Sequence, residues 1–514
     1  MHRPPTAEAE VAAELAALRP ALGPRFAAAL PGARAAVLTR LWRALAHEPL
    51  PWIVRGGAGR QPGGSSSGKS GGEGLTLRLR DGRRLHGPWS DPYATAAYVT
   101  EVRLDGVAYD DPARLMTELA VPHGGGLAAE LGHSAASLAL SRAAQEPSSP
   151  GWPAHDWEWE QRVVDGHPYH PNCRSRPGFS VAEQLAYGPE HRPAVRLGLL
   201  PVPAGECLVS GRWPEDLRDG DRLLIPVHPW QAAHVLKRSC ERGTTAHPLM
   251  SLRTLALPGG PHVKTALSAR LTSSVRDISV ASVAASAALS RFGETVAART
   301  DGLLHVTRTL GAATPDSPDL AAVLRESPAV YARPGEHVVP VAALATTDLP
   351  GSPAWTAEFA RLALTVGLRL LELGVALEAH GQNLLVVLSA SGAPLRLVYR
   401  DLADIRVGPA RLARHGVPLP DDLPARILTD DVTALRRKLF GSLVAGALAA
   451  TAGSGTALRA ALETAVRDLP RTPDLVALCE EPLPAKALTL MRLSPGAAGD
   501  QWAALPNPVA GAIG

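Results

Sequence analysis

The chain has 514 residues, of which 46% are hydrophobic and 20% are charged, and its formal net charge is +3. This length allows two to four domains with a large core. The near-neutral charge gives no indication of a nucleic-acid partner or an anionic membrane surface. The four cysteines lie far apart without a CxxC pair, which argues against a disulfide framework or zinc knuckle and favours a reducing compartment.

The first 150 residues are predicted to be mainly helical. Residues 5–48 and 110–148 have helical patterns, and residues 55–74 between them are nearly all small or polar, which predicts a flexible surface loop. Leucines then alternate with polar residues before Asp81-Gly82, a pattern typical of a β-hairpin.

The N-terminal segment does not read as a signal peptide, because Glu8, Glu10 and Glu14 interrupt it. No apolar run in the chain reaches the roughly 18 residues that a membrane span needs. We therefore expect a soluble, cytoplasmic protein with no membrane partner.

Residues 63–70, Gly-Gly-Ser-Ser-Ser-Gly-Lys-Ser, match the phosphate-loop pattern GxxxxGK[ST] letter for letter. That pattern binds phosphate only between a buried strand and a helix that presents its N-terminal amides. Here Gly-Gly-Glu-Gly follows, which cannot open a helix. We interpret the match as accidental.

The middle of the chain, residues 163–280, consists of short apolar runs broken by Pro and Gly, which predicts an antiparallel sheet. Within it, polar and apolar residues alternate from Lys264 to Thr272, as in a strand with one polar face. Ser273 or Ser274 could cap a helix that starts near Arg276. A short helix is predicted at 318–326.

Two other motifs of the middle region contain paired His and Pro residues. Residues 166–171, Gly-His-Pro-Tyr-His-Pro, precede Arg174 and Arg176 and indicate either an anion-binding loop or a basic surface turn, with equal weight. Residues 226–231, Pro-Val-His-Pro-Trp-Gln, follow an apolar run, and we favour a structural role for His228 and Trp230 in a buried turn.

The last third carries the strongest chemical signal. A helical apolar pattern runs from Phe359 to Leu377, with Gly381 as its expected stop, and strands are predicted at 384–388 and 395–399. The loop between helix and hairpin reads Glu-Ala-His-Gly-Gln-Asn, and Arg400-Asp401 follow the second strand. Hard oxygen ligands and phosphate donors in such an arrangement are typical of a magnesium–nucleotide site.

Taken together and in this order, the motifs from residue 166 to 401 resemble those of the IucA/IucC family of siderophore synthetases that act independently of nonribosomal peptide synthetases. One position departs from the family pattern: Arg174 stands where the family usually has Lys. A planar guanidinium contacts an anion differently from a point charge, so the substrate preference at this position is open.

The resemblance implies an α+β fold with a hand-like architecture of thumb, fingers and palm. We place the thumb at residues 1–150 and the fingers, with their antiparallel sheet, at 151–335. The mainly helical palm, with a kinase-like hairpin, occupies 336–514. A homodimer is also implied.

The resemblance further implies site residues. ATP would be held by a set of basic and polar side chains: Ser251, Arg253, Lys264, Arg276, Gln382 and Arg174. Magnesium would be held by Glu378, Asn383 and Asp401. The acid substrate would contact Thr272, Arg276 and His380, and the catalytic residues would be Arg276, His380 and Lys264.

The implied activity is ATP-dependent adenylation of citrate or a related carboxylic acid, followed by condensation with an amine or alcohol. Two alternatives are a phosphotransferase with a kinase-like palm, which would release ADP instead of AMP, and a catalytically silent protein that binds citrate or a nucleotide. Against the phosphotransferase, His380 stands where a kinase loop would have an Asp base ahead of Asn383.

Overall fold

The computed structural model describes residues 6–54, 74–146, 151–272, 274–497 and 499–511. It is a mixed structure, 44% helical and 21% strand, which confirms the α+β prediction. Apart from Gly74, the predicted flexible loop lies outside the described residues, as does the phosphate-loop match at 63–70.

The chain forms two compact units. The N-terminal unit comprises Met1–Ala144, Asp165–Pro177 and Lys486–Leu505, and the main unit comprises Gln145–Val164, Gly178–Ala485 and Pro506–Gly514. The predicted thumb, fingers and palm with boundaries at residues 150 and 335 stay a prediction. The two compact units do not coincide with the predicted boundaries, because residues 165–177 and 486–505 belong to the N-terminal unit.

The N-terminal unit begins with helices on a small antiparallel sheet. Its first helices and strands are α1 (Ala7–Leu18), α2 (Gly23–His47), β1 (Ile53–Val54), β2 (Leu75–Leu79), β3 (Arg84–Gly87), β4 (Val102–Leu104), β5 (Val107–Tyr109), α3 (Pro112–Leu119) and α4 (Gly124–Ala143). The strands pair in chain order, and the predicted hairpin at Asp81-Gly82 joins β2 to β3. Helix α2 packs along α4, with Trp42 and Leu45 fully buried.

The main unit holds most of the sheet structure. Its helices are α5 (Asp156–Gln161), α6 (Val181–Tyr187), α7 (Pro229–Gln231), α8 (Val280–Ala297), α9 (Pro353–Leu373), α10 (Pro409–Arg414), α11 (Val432–Leu439), α12 (Ala449–Ala452), α13 (Gly455–Val466) and α14 (Pro473–Glu480). Its strands are β6 (Val195–Pro203), β7 (Leu208–Gly211), β8 (Arg218–Asp219), β9 (Arg222–Val227), β10 (Arg242–Pro248), β11 (Thr254–Ala256), β12 (His262–Thr265), β13 (Leu267–Leu271), β14 (Ser274–Arg276), β15 (Leu304–Val306), β16 (Thr309–Thr314), β17 (Ala322–Arg325), β18 (His337–Pro340), β19 (Val375–Ala376), β20 (Leu384–Leu388), β21 (Pro394–Tyr399) and β22 (Arg406–Val407). Three elements follow in the chain: β23 (Leu483–Lys486), and then α15 (Leu488–Leu493) and β24 (Trp502–Leu505), which belong to the N-terminal unit.

Nine of these strands form one sheet in the order β7-β16-β17-β12-β11-β10-β6-β9-β8. The pairs are antiparallel, as predicted for residues 163–280. The sheet buries an aliphatic core that includes Leu197, Ile225, Leu255, Val263 and Leu324.

The helix predicted at 318–326 is wrong, because Ala322–Arg325 is the strand β17. This strand pairs with β12 on one side and β16 on the other. Its short apolar run fits a buried strand as well as a helix, and the ladder bonds on both sides decide the outcome.

The single strand predicted from Lys264 to Thr272 is divided into β12 and β13, which belong to different sheets. Between them, the Ala266 N–H donates to the carbonyl of Ala321. The helix predicted near Arg276 is also wrong. Residues Ser274–Arg276 form β14, and helix α8 begins later, with the Ser279 hydroxyl accepting from the Ser282 N–H.

The predicted hairpin is confirmed as β20 and β21, in a four-stranded sheet ordered β15-β21-β20-β18. The helix before it ends earlier than predicted. Helix α9 stops at Leu373, and Gly374, in the left-handed region with φ of 99°, caps it instead of Gly381. The chain then forms β19 before it reaches the polar loop.

Within the described residues, no single helix has both the length and the apolar composition of a membrane span. The bent pair Val432–Ala452 and Gly455–Val466 meets the two criteria only when its members are counted together.

The structural role expected for His228 and Trp230 agrees with the geometry. His228 Nδ1 accepts from the Trp230 N–H at 3.2 Å and caps α7, while the Trp230 ring stacks on Phe179. The His228 side chain is fully buried, and this burial lowers its pKa from 6.5 to about 3.

Because the unfolded chain binds more protons than the folded one between pH 6.5 and about 3, His228 reduces stability as the pH falls through this window. Between pH 7 and pH 5, its protonation in the unfolded state costs about 2 kcal/mol. We expect His228→Asn, which keeps a capping acceptor, to lose less stability than the wild type over this interval. Denaturant unfolding at both pH values measures the difference, and equal losses would contradict it.

Candidate active site

Two cations lie on one face of the nine-stranded sheet, and a third lies close enough to act on one of them. Lys264 is on β12, Arg325 is at the end of the neighbouring β17, and Arg253 directly precedes β11 on the other side of β12. Lys264 and Arg325 share a face because His262, two residues before Lys264, is the cross-strand partner of Arg325.

Asp401, which follows the hairpin, binds this cationic face. Its Oδ2 accepts from Lys264 Nζ at 2.7 Å, and its Oδ1 accepts from Arg325 Nη2 at 3.0 Å. Asp401 adopts the left-handed conformation with φ of 70°, which costs a non-glycine residue on the order of 1 kcal/mol or more. The strained backbone turns the carboxylate toward the cations directly after β21.

The charges at this contact do not cancel. Burial raises the pKa of Asp401, but Arg325 and Lys264 outweigh it and hold that pKa well below the usual range. Burial lowers the pKa of Lys264 to about 7, since Arg325 and Arg253 oppose the attraction of Asp401. Burial likewise lowers the pKa of Arg253 to about 10. Three partly buried cations around one carboxylate leave an excess of positive charge, which suits a polyanionic ligand.

Arg276, at the end of β14, also lies within electrostatic range of Asp401. Burial lowers the pKa of its guanidinium, and the carboxylates of Asp401, Glu378 and Asp404 act against this effect. The Arg276 carbonyl accepts from Arg253 Nη1 at 2.5 Å, so Arg253 holds β14 beside the cationic face. The structure thus brings Lys264, Arg253 and Arg276 together with the acidic residues of the later third.

The loop between β19 and β20 is ordered by its own hydrogen bonds. Asn383 Nδ2 donates to the Glu378 carbonyl at 3.3 Å, and His380 Nδ1 accepts from the Gln382 N–H at 3.3 Å. The Ala379 N–H donates to Ser442 Oγ at 2.9 Å, which ties the loop to the helical segment after α11. The predicted polar residues are therefore presented from a fixed turn.

Glu378 is paired with a buried cation that the sequence patterns did not single out. Lys438, on α11, donates from Nζ to Glu378 Oε1 at 3.0 Å, and its side chain is only 4% exposed. Lys438 therefore balances the charge of Glu378, whereas the cations around Asp401 exceed its single charge.

Three further predicted residues are described by contacts or positions outside the ion pairs of Asp401 and Glu378. Ser251 Oγ accepts from the Thr254 N–H at 3.2 Å, two residues from Arg253. Thr272 lies in the turn between β13 and β14 with φ of 58°. Arg174 is buried in the N-terminal unit, and its predicted role at the ATP phosphates stays a prediction.

Arg325 is the main site residue that sequence reasoning missed. The helix prediction at 318–326 concealed it, because a helix does not align residue 325 with the polar face of β12. Read as a strand, the run Ala-Val-Leu-Arg ends in a cation next to that face. Lys438 had no comparable signal, since it lies within an ordinary amphipathic helix.

Residues 155–346 match the sequence model of the IucA / IucC family. This segment belongs to the IucA/IucC family. It carries the cations Arg253, Lys264, Arg276 and Arg325 of the candidate site. Residues 353–501, with the polar loop and Asp401, match a second model, described as ferric iron reductase FhuF-like transporter.

Relatives of known name agree with the IucA/IucC match. The chain is 27% identical over 312 residues to a citryl-spermidine/3,4-dihydroxybenzoyl-citryl-spermidine:spermidine ligase of Bacillus anthracis, covering 48% of this chain and 50% of the ligase. It is 26% identical to the aerobactin synthase of Escherichia coli, covering 53% and 59%. The matched regions span about half the length of these relatives.

Solved structures share the fold over most of this chain. The petrobactin biosynthesis protein AsbB from Bacillus anthracis superposes with a TM-score of 0.72 at 18% identity, covering 96% of this chain and 98% of AsbB. The ATP-bound aerobactin synthetase IucA from Klebsiella pneumoniae superposes with a TM-score of 0.69 at 19% identity, covering 93% and 99%. At these identities the likeness establishes the fold alone.

Proposed function

We propose that this protein is an ATP-dependent ligase that adenylates a citrate-like carboxylic acid and condenses the product with an amine. The main support is the excess of partly buried positive charge that Lys264, Arg253 and Arg325 form around Asp401. The names of the relatives, which include a citryl-spermidine ligase and an aerobactin synthase, support the same substrate class.

The chemistry brings two anions together. A carboxylate oxygen of the acid attacks the α-phosphorus of ATP, and pyrophosphate leaves. The amine nitrogen then attacks the acyl carbon, AMP leaves with the electrons of the broken acyl–oxygen bond, and the nitrogen loses a proton. Repulsion between carboxylate and triphosphate dominates the first barrier, so fixed cations contribute most to its reduction.

The proposed roles follow the positions of the side chains. Lys264, Arg253 and Arg325 bind the phosphates, with Ser251 and Gln382 at the edges of the nucleotide site. Arg276 lies where acid and α-phosphate meet, because it faces the acidic loop from the cationic side. His380 and Thr272 hydrogen-bond the acid, and His380 can do so in either protonation state.

Magnesium fits the ligand chemistry of the acidic side, because Glu378, Asp401 and Asn383 offer hard oxygen atoms. Among the residues that the structure describes, no three His, Cys, Asp or Glu side chains group as metal ligands. We therefore expect magnesium to be held jointly by these residues and the phosphates of ATP, whose negative charge it neutralises. A homodimer remains a prediction.

Pyrophosphate release tests the proposal. The purified protein is incubated with magnesium and ATP, alone and with citrate, and then with a diamine such as spermidine. Citrate is expected to stimulate pyrophosphate release, and the amine to give an amide product with AMP. Absence of stimulation by any acid of a tricarboxylate and dicarboxylate panel would refute the ligase, and ADP in place of AMP would indicate a phosphotransferase.

A further inference from the structure

The short helix α5 holds two acidic residues that belong to none of the motifs described above. Asp156 and Glu160 are four residues apart, so they lie on one side of the helix. The Glu160 side chain is 2% exposed and that of Asp156 is 10% exposed. Each binds an element that carries candidate nucleotide-binding residues.

Glu160 binds the backbone at Met250, next to Ser251, and it also binds Arg400, which in turn binds the loop at Gln382. Its Oε2 accepts from the Met250 N–H at 2.9 Å, and its Oε1 accepts from Arg400 Nη1 at 2.6 Å. Arg400 in turn donates from Nε and Nη2 to the Gln382 carbonyl at 3.0 and 2.7 Å. One carboxylate thereby fixes two separate segments relative to each other.

Arg400 extends the same connection to the acidic side. It directly precedes Asp401, and its N–H donates to the Asn383 carbonyl at 3.0 Å. Burial lowers the pKa of Arg400, but the charge of Glu160 outweighs it and raises that pKa above the usual value. Glu160 thus holds the Arg400 guanidinium, and with it the start of the segment that carries Asp401.

Asp156 fixes the cationic face at the other end of α5. Its Oδ2 accepts from His262 Nε2 at 2.8 Å and from Ser327 Oγ at 2.6 Å. His262 precedes Lys264 by two residues on β12, and Ser327 follows Arg325 by two residues. Burial raises the pKa of Asp156, but the bond from His262 and its charge outweigh burial and lower that pKa to about 2.

The energetics favour a geometric role over a stabilising one. A buried ion pair such as Glu160–Arg400 contributes little net stability, because desolvation of both charges offsets their attraction. What two carboxylates that each bridge two partners supply is a fixed distance and angle between the segments that they join. A catalytic site requires its groups within about 0.5 Å of the productive arrangement.

We propose that α5 is a positioning element of the nucleotide site: Glu160, through Arg400, and Asp156, through His262 and Ser327, set the relative placement of the phosphate-binding cations and the acidic loop without contacting ATP. This inference rests on the proposed function. Helix α5 is not part of any of the sequence motifs that predicted the site.

The test compares Glu160→Ala, Glu160→Gln and Asp156→Asn with a matched control, Asp474→Asn. Asp474 is a buried carboxylate of the same unit that binds Arg411 and Arg436 at 2.7 and 2.8 Å, neither of which is a candidate nucleotide-binding residue. The full-length protein is measured for ATP dissociation constant by calorimetry, for KM and kcat in pyrophosphate release, and for unfolding temperature.

We expect Glu160→Ala to raise the ATP dissociation constant and KM by about tenfold or more, as the loss of a charged hydrogen-bond partner predicts. Glu160→Gln retains an acceptor and is expected to show a smaller rise. Asp474→Asn is expected to lower the unfolding temperature while the ATP dissociation constant stays within about twofold. If Glu160→Ala does not fold, Glu160→Gln and Asp156→Asn carry the comparison.

Two outcomes separate this inference from the proposed function. Unchanged ATP binding in folded Glu160 and Asp156 variants, with the wild type active, would overturn the positioning role and leave the ligase assignment intact. A wild type that neither binds ATP nor releases pyrophosphate would overturn both. Equal effects of Asp474→Asn and Glu160→Ala on ATP binding would reduce the role of α5 to general stability and refute the inference.

Discussion

Asp401→Asn is expected to reduce kcat/KM for ATP by about a thousandfold or more, and at the same time to tighten the binding of magnesium-free pyrophosphate. Without its carboxylate, Lys264 and Arg325 lose the partner that binds both of them at 2.7 and 3.0 Å. The freed cations attract a polyanion more strongly, whereas the proposed magnesium site loses a ligand. Pyrophosphate titration in the presence of a chelator, with turnover assayed separately, measures both effects.

Asp404→Asn is the matched control for this variant. Asp404 is also within electrostatic range of Arg276, but it is exposed and binds Arg426 at 3.1 Å. Its replacement is expected to change turnover by less than about threefold, as for other exposed ion pairs. Weaker pyrophosphate binding by Asp401→Asn would show that Asp401 organises the cations instead of competing with the phosphate for them.

Arg276→Ala is expected to abolish turnover with the fold intact. Among the described residues, its guanidinium donates a long hydrogen bond, 3.4 Å, to the Leu271 carbonyl, so we expect the loss of stability to be small. The loss of charge, however, removes the group that we propose to contact the acid, and we expect kcat to fall by about a thousandfold or more. Arg270→Ala, on the exposed side of neighbouring β13, should leave kcat nearly unchanged.

Two variants of His380 test whether its ring contacts the acid substrate. His380→Asn can still accept from the Gln382 N–H, which His380 Nδ1 does at 3.3 Å, whereas His380→Ala cannot. If the ring contacts the acid, both variants lose turnover while ATP binding persists. Near-normal rates in Arg276→Ala and in both His380 variants would remove these residues from the site.

The elements that the sequence predicted well are those with strong local signals. The hairpin of β20 and β21 has two apolar runs around Ser391-Gly392, and Asp81-Gly82 specifies the turn between β2 and β3. The order of the motifs was sufficient to predict the family and most of the cations and carboxylates that the structure brings together. Lys264 and Asp401, 137 residues apart in the chain, form a direct ion pair.

The errors arose where long-range pairing overrides local pattern. Residues 318–326 contain an apolar run without a strand signature, and only their pairing with β12 and β16 makes 322–325 a strand. The end of α9 was misplaced because two glycines, Gly374 and Gly381, offered a stop, and the two-residue strand β19 between them has no visible period. Glu160 was invisible because its partner Arg400 lies 240 residues away.

The most direct test of the central claim is a crystal structure of the protein with magnesium and a non-hydrolysable ATP analogue. Phosphate oxygens are expected about 3 Å from Lys264 Nζ and the Arg325 guanidinium, with the Asp401 carboxylate turned toward the metal. A triphosphate bound elsewhere, with the Lys264–Asp401 contact unchanged, would contradict the account.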